Sequence, residues 1–269
     1  MAGDVYTSTS GAGYRVLHQV GTPGGFASVF LVEDDAGESY ALKRLRLVGL
    51  PAQMLLDEAE HLRRVQHRHV IRYRDSGTEP EAFLVMELAD SGSLREVVGD
   101  ALRRGRQLPF DVVLRWSAQL LRGLAAVHRE LIHCDVKAGN VLLRGDVAKL
   151  ADFGSARLAG QRPGVVRTAP TSKPPEGWLD DSACQPTVAY DLYGAGVVLH
   201  ELATLRSPFP GPAEDDYRLQ HLIMLPDPRE LRPKMPRALE ELILDLLRKD
   251  PARRPAAEDA LRRLREAGA

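Results

Sequence analysis

Cysteine is nearly missing from this 269-residue chain, which holds only Cys134 and Cys184. Two cysteines cannot build the disulfide framework of a small secreted domain, and their spacing does not suit a zinc site. No run of 18 apolar residues occurs, and the opening MAGDVYTSTSGAG lacks the apolar stretch of a secretory leader. A soluble, cytoplasmic protein without membrane contact is therefore expected. Net charge is close to zero as well, formally -1 with a pI near 6.7, so no nucleic-acid partner is expected. Lysine is scarce: of 36 basic residues only those at 43, 137, 149, 173, 234 and 249 are lysines. Arginine is the default cation here, and the two differ in shape and hydration where phosphate is gripped. What is abundant is apolar content, at 44%, enough for one large core or two smaller ones.

Residues 1–13 are small and polar and read as a disordered tail, with Ser and Thr at 7–10 lacking any visible partner. From Tyr14 to Leu88 the pattern is that of strands, YRVLHQV, FASVFLVED, SYALKRLRL, HVIRYRDSG and AFLVMEL, separated by turn-rich TPGG, DDAGE and SGTEPE. One helix interrupts them, PAQMLLDEAEHLRRVQH, with apolar residues at 55, 59, 62 and 65 on one stripe. Beyond residue 89 helical patterns dominate. The expected fold is α+β, with a small five-stranded antiparallel lobe carrying one helix (14–88) and a larger, mainly helical lobe (89–269).

The chemistry-bearing residues fall in a definite order. Gly24 and Gly25 sit in a turn between two strands, where glycine lets backbone N–H groups approach an anion. Alone, such a turn is more often structural. Ala41 and Lys43 share one face of the SYALKRL strand, and Glu58 lies at the edge of the apolar helix stripe, where it could reach Lys43. The segment LIHCDVKAGNVLL gathers Asp135, Lys137 and Asn140 in one polar loop, and Asp152 follows in ADFG. Asn140 and Asp152 offer the hard oxygen ligands that Mg²⁺ accepts. Asp135 is placed to take a proton from a hydroxyl nucleophile.

This set resembles a eukaryotic-like Ser/Thr protein kinase domain, over roughly Tyr14 to the C-terminus. The resemblance puts the family's nucleotide-binding lysine on Lys43, its partner glutamate on Glu58, its catalytic aspartate and asparagine on Asp135 and Asn140, and its DFG aspartate on Asp152. Pro174-Pro175-Glu176, Asp191 and Arg254 fall where the family has the end of its activation segment, the first turn of its central helix, and a late arginine that pairs with that glutamate. It also implies a bilobal fold that binds ATP and Mg²⁺. Val29 and Ala41 would lie above the adenine and Leu142 below it, behind a gatekeeper Met86. Glu87 and Ala89 would offer hinge backbone groups, and Gly24 and Gly25 would cover the phosphates. Lys137 is typical of members that phosphorylate Ser or Thr in protein substrates. Leu62, Tyr73, His133 and Phe153 match the side-chain stack of the active state.

The sequence also departs from the family. Thr22 and Ala27 replace two loop glycines, and Cys134 stands where an arginine usually binds an activation-segment phosphate. Activity independent of phosphorylation in that segment is therefore expected, and Cys134 is read as a neutral buried thiol. Thr168 and Thr171 remain alternatives for the substrate-loop threonine. Two other readings compete, a scaffold that binds nucleotide without efficient transfer and a small-molecule phosphotransferase. The Glu176, Asp191 and Arg254 set speaks against the second.

Overall fold

The computed structural model describes residues 3–21, 27–46, 51–161, 166, 168–179, 184–211, 214–266 and 268. The N-terminal part is a curled antiparallel sheet of β1 (Val5–Thr7), β2 (Gly13–Val20), β3 (Ala27–Asp34), β4 (Ser39–Leu45), β5 (Tyr73–Gly77) and β6 (Phe83–Glu87). Its order is β1-β2-β3-β4-β6-β5, with helix α1 (Gln53–Arg64) inserted between β4 and β5.

Side chains alternate across a strand, so each strand feeds two different cores. Leu42, Phe83 and Val85 point to one side and join Tyr14, Val16, Phe30 and Val32. Ala41, Leu84 and Met86 point to the other and meet Leu55, Ala59 and Leu62 of α1. The β4–β6 register pairs Ala41 with Met86 and Lys43 with Leu84, which sets Lys43 on the α1 side of the sheet.

Two expectations change here. Among the described residues the sheet has six strands, not five, and the segment expected to be a disordered tail supplies the sixth. Tyr6 explains the difference. Its ring is 2% exposed and meets Phe83 edge-on at 5.2 Å, and its neighbours pair Val5 with Arg15 and Thr7 with Gly13. Burying one aromatic ring is worth roughly 1.5–3 kcal/mol, enough to order a few residues, yet a single apolar residue leaves no period in a sequence.

The C-terminal part contains α2 (Leu94–Arg103), α3 (Phe110–Val127), α4 (Pro175–Leu179), α5 (Val188–Thr204), α6 (Glu214–Ile223), α7 (Pro228–Leu231), α8 (Arg237–Leu246) and α9 (Ala257–Glu266). Two small ribbons pair β7 (Leu131–Ile132) with β10 (Arg157–Leu158) and β8 (Val141–Arg144) with β9 (Val147–Leu150). Helix α5 is buried almost all round, as its apolar sequence requires. A Cβ on Gly194 would lie 2.6 Å from Val136 O, so this glycine lets the α5 backbone press against the loop that carries Asp135.

Candidate active site

The loop between β7 and β8 is held from beneath by Asp191 of α5, which is 1% exposed. Its carboxylate accepts the backbone N–H groups of His133 at 2.7 Å and Cys134 at 2.8 Å, with His128 Nε2 at 3.0 Å. Cys134 adopts a left-handed φ of 66°, an unfavourable conformation for a non-glycine residue that these bonds sustain. Asp135 emerges directly after this turn. Its Oδ2 accepts Lys137 Nζ at 2.6 Å and Asn140 Nδ2 at 3.0 Å, and its Oδ1 accepts the Ala169 N–H at 2.9 Å.

Lys43 sits between two carboxylates. Its Nζ is 2.7 and 2.8 Å from the Glu58 oxygens and 2.8 Å from Asp152 Oδ1. Burial pulls the Lys43 ammonium down, but Glu58 and Asp152 outweigh it and raise its pKa. Lys43 in turn holds the Asp152 carboxyl down at about 2, against the upward push of burial. Burial pushes the Glu58 carboxyl up, and Lys43 opposes that push. Asp152 has a left-handed φ of 65°, which turns its carboxylate toward the cleft while Phe153 goes inward to meet His133 edge-on at 4.8 Å. Of the expected stack, His133 and Phe153 are in contact, and Leu62 and Tyr73 belong to the same large apolar core as Phe153.

The structure brings the two lobes' site residues together. Val29, Ala41, Met86, Ala89 and Leu142 belong to one continuous apolar cluster. Among the described residues nothing accepts from the Ala89 N–H, which leaves a donor open at the lobe junction. Asp152 engages Lys43 through Oδ1 alone, and Asn140 spends its Nδ2 on Asp135, leaving oxygens of both for a hard cation. No group of three or more His, Cys, Asp or Glu side chains able to hold a metal occurs among the described residues. A carboxylate and an amide are few ligands for a free-standing site, but they suit Mg²⁺, which keeps phosphate and water oxygens. Gly24 and Gly25 lie outside the described residues.

Sequence reasoning passed over Lys149. Its Nζ, on β9, donates to Glu87 Oε1 and to Arg68 O, both at 2.8 Å, and the lysine and glutamate side chains are each 8% exposed. Glu87 Oε1 also accepts the Arg72 N–H at 2.8 Å. The pair ties the end of β6 to the strand that leads into Asp152. Lysine scarcity was the available signal, since Lys149 is one of six.

In the segment after Asp152, Thr168 is the threonine that contacts the loop carrying Asp135. Thr168 Oγ1 donates to Cys134 O at 2.6 Å and lies 2.8 Å from the Tyr190 hydroxyl, beside the Ala169 contact to Asp135. Among the described residues no such contact involves Thr171. Cys134, Cys184, Ile132, Val166 and Tyr190 form a small apolar cluster against this segment. Burial pushes the Cys134 thiol well above its usual range, with Asp191 adding to the effect. Neither buried cysteine should react with iodoacetamide in the folded protein at about pH 8, and both should after unfolding, as counted by intact mass. Farther out, Arg254 grips Glu176 bidentately at 2.6 and 2.8 Å.

A lysine, two acidic side chains and an asparagine facing one cleft, between a curled sheet and a helical lobe, define the protein-kinase class of fold. A family model described as the protein kinase domain matches residues 14–264. Similar proteins include the serine/threonine-protein kinase PkaA of Streptomyces coelicolor, 37% identical over 87% of this chain and 44% of the relative. PknA of Corynebacterium glutamicum is 32% identical over 91% of this chain and 54% of its own length. Mouse Nek3 is 29% identical over 92% of this chain and 48% of its own. This chain belongs to the protein kinase domain family. It spans about half the length of the curated relatives it matches.

Proposed function

We propose that this chain transfers the γ-phosphate of ATP, with Mg²⁺, to Ser or Thr hydroxyls of protein substrates, and that it works in the cytoplasm. The observation that carries the reading is the convergence of Lys43, Glu58 and Asp152 within hydrogen-bond distance. MgATP, when bound, supplies the transferable phosphoryl group and the divalent charge that offsets its negative oxygens. The chain's own residues do the positioning, which dominates such transfers. Lys43, oriented by Glu58, would donate to phosphate oxygens, and Asp152 and Asn140 would hold Mg²⁺. Val29, Ala41 and Leu142 would enclose the adenine and exclude water, with Met86 behind it and Glu87 and Ala89 offering backbone groups. Asp135 would orient the acceptor hydroxyl and take its proton, while Lys137 neutralises charge beside it. Buried thiols with no disulfide among the described residues suit a reducing compartment.

The apolar cluster around Cys134, together with the Thr168 contacts, supports a segment docked without phosphate. Phosphatase treatment is therefore expected to leave activity unchanged, and its loss with remodelling of the segment would reject this part of the proposal. The central test is radiolabelled transfer from MgATP to generic Ser/Thr substrates. Nucleotide binding with no transfer would overturn the proposal in favour of a scaffold.

A further inference from the structure

The consecutive hydroxyls of Thr7, Ser8, Thr9 and Ser10 play no part in that chemistry, yet the fold gives them a defined place. They form the tip between β1 and β2, where Ser8 N–H donates to Ala12 O and Gly11 N–H to Ser8 O, each at 2.9 Å. The same tip touches the far edge of the sheet. Thr7 N–H donates to Glu79 O at 3.3 Å, and both the N–H and the hydroxyl of Thr9 donate to Ser76 O at 3.1 Å. One short strap thus joins the β2 edge to the β5 edge and closes the curl.

A buried carboxylate latches the tip of the strap. Asp75, 8% exposed, accepts Ser10 Oγ at 2.6 Å, the Tyr14 hydroxyl at 3.3 Å and the Ser76 N–H at 2.9 Å. Ser8 Oγ lies 2.9 Å from Ser10 Oγ and extends the network. Burial pushes the Asp75 carboxyl up, but these neutral donors, Ser10 and Ser8 first, outweigh burial and hold it below its usual range. Arg74 is the neighbouring cation, and it is placed over the Tyr40 ring at 5.2 Å and 3.8 Å from Asp34. Ser10 is exposed at a loop tip, the kind of place where a modifying enzyme gains access.

We propose that Ser10 is a phosphoacceptor and that its phosphorylation releases the strap. A phosphoserine removes the hydroxyl proton that Asp75 accepts and adds about -1.5 to -2 charge in its place. Two anions then face each other at the position of a 2.6 Å hydrogen bond, one of them buried. Tyr6 is the strap's one large buried side chain, and what else resists its opening is the β1–β2 pairing and the Thr7 and Thr9 bonds to the β5 edge, all of them hydrogen bonds. Release also withdraws the Tyr6 hydroxyl, which lies 2.8 Å from both Glu81 and Arg44, and Arg44 is the neighbour of Lys43 on β4. This rests on the protein-kinase reading, with a second copy of the chain as the enzyme. Ser10 Oγ attacks the γ-phosphorus of ATP, the bond from that phosphorus to the departing ADP oxygen breaks, and the serine proton passes to the second copy's catalytic carboxylate and then to solvent.

The test has two arms. In the first, the full chain is prepared with phosphoserine at position 10, and amide hydrogen exchange over residues 3–12 is compared with wild type and with Ser10→Ala. Phosphoserine should speed that exchange by at least about tenfold, and by more than the alanine does, because repulsion adds to the lost hydrogen bond. Equal exchange in the phosphorylated and unmodified chains would overturn the release, whatever the chain's activity. In the second, wild type is mixed with MgATP and an Asp135→Asn chain, and phosphate on the variant is mapped by mass spectrometry. Phosphate on Ser10 of the variant supports the assignment. A wild type that phosphorylates generic substrates but leaves Ser10 bare overturns the acceptor role alone, whereas a wild type that phosphorylates nothing overturns the kinase reading and the acceptor role with it.

Discussion

Asp135→Asn should lower the rate of phosphate transfer by about 10²–10⁴-fold while leaving nucleotide affinity near that of the wild type. Asparagine matches aspartate in size, so the left-handed turn at Cys134 and its anchoring by Asp191 should persist. What disappears is the anion that Lys137 and Asn140 converge on and that would take the acceptor's proton. Initial rates measured beside a fluorescent-nucleotide titration separate the two effects. A variant that transfers at the wild-type rate would remove Asp135 from the chemistry.

Lys43→Met is expected to be nearly as damaging, at about 10²–10³-fold in transfer, because it deletes a preorganised donor aimed at charge that develops in the reaction. It also leaves two carboxylates without the cation that lies within 2.8 Å of each. Glu58 is 5% exposed, so its cheapest response is to take up a proton. The pH dependence of stability should therefore differ between the two proteins. In the wild type the depressed Asp152 carboxyl adds stability that is present above its ordinary pKa of 3.8 and lost as pH falls through about 2. In the variant that contribution is gone. The Glu58 carboxyl, raised already in the wild type, is no longer opposed by Lys43, so more stability is gained as pH is lowered and lost as it rises. Urea midpoints followed from neutral to acid pH measure both trends. Parallel curves for the two proteins would show that Lys43 does not govern these carboxylates.

Much of this site can be read from residue type and order. Lys43 and Glu58 stand at spacings that the strand and helix periods make meaningful, while Asp135, Asn140 and Asp152 stand out by their order and by resemblance to the kinase family. The two-lobe division is equally visible, because the apolar period changes from two to near four close to residue 89. Lys149 escaped notice for a different reason. Its role depends on Glu87 and on the Arg68 carbonyl, which are remote in sequence, and an isolated lysine on a strand carries no mark of either.

The strap over residues 3–12 and the contacts of Thr168 with Cys134 and Tyr190 belong to the same group. Residues 1–13 look disordered because composition averages over a segment, whereas one tyrosine decides its order by finding Phe83, Glu81 and Arg44. By itself the sequence determined the longer elements, their periodic faces and the inventory of reactive groups, all of which follow from local sterics and hydrophobic pattern. Only the tertiary structure decided which groups meet. The contacts of Asp191 with the catalytic loop, Lys43 with Asp152 and Ser10 with Asp75 each join residues far apart along the chain, and distance-dependent forces act only once the core has packed them within reach.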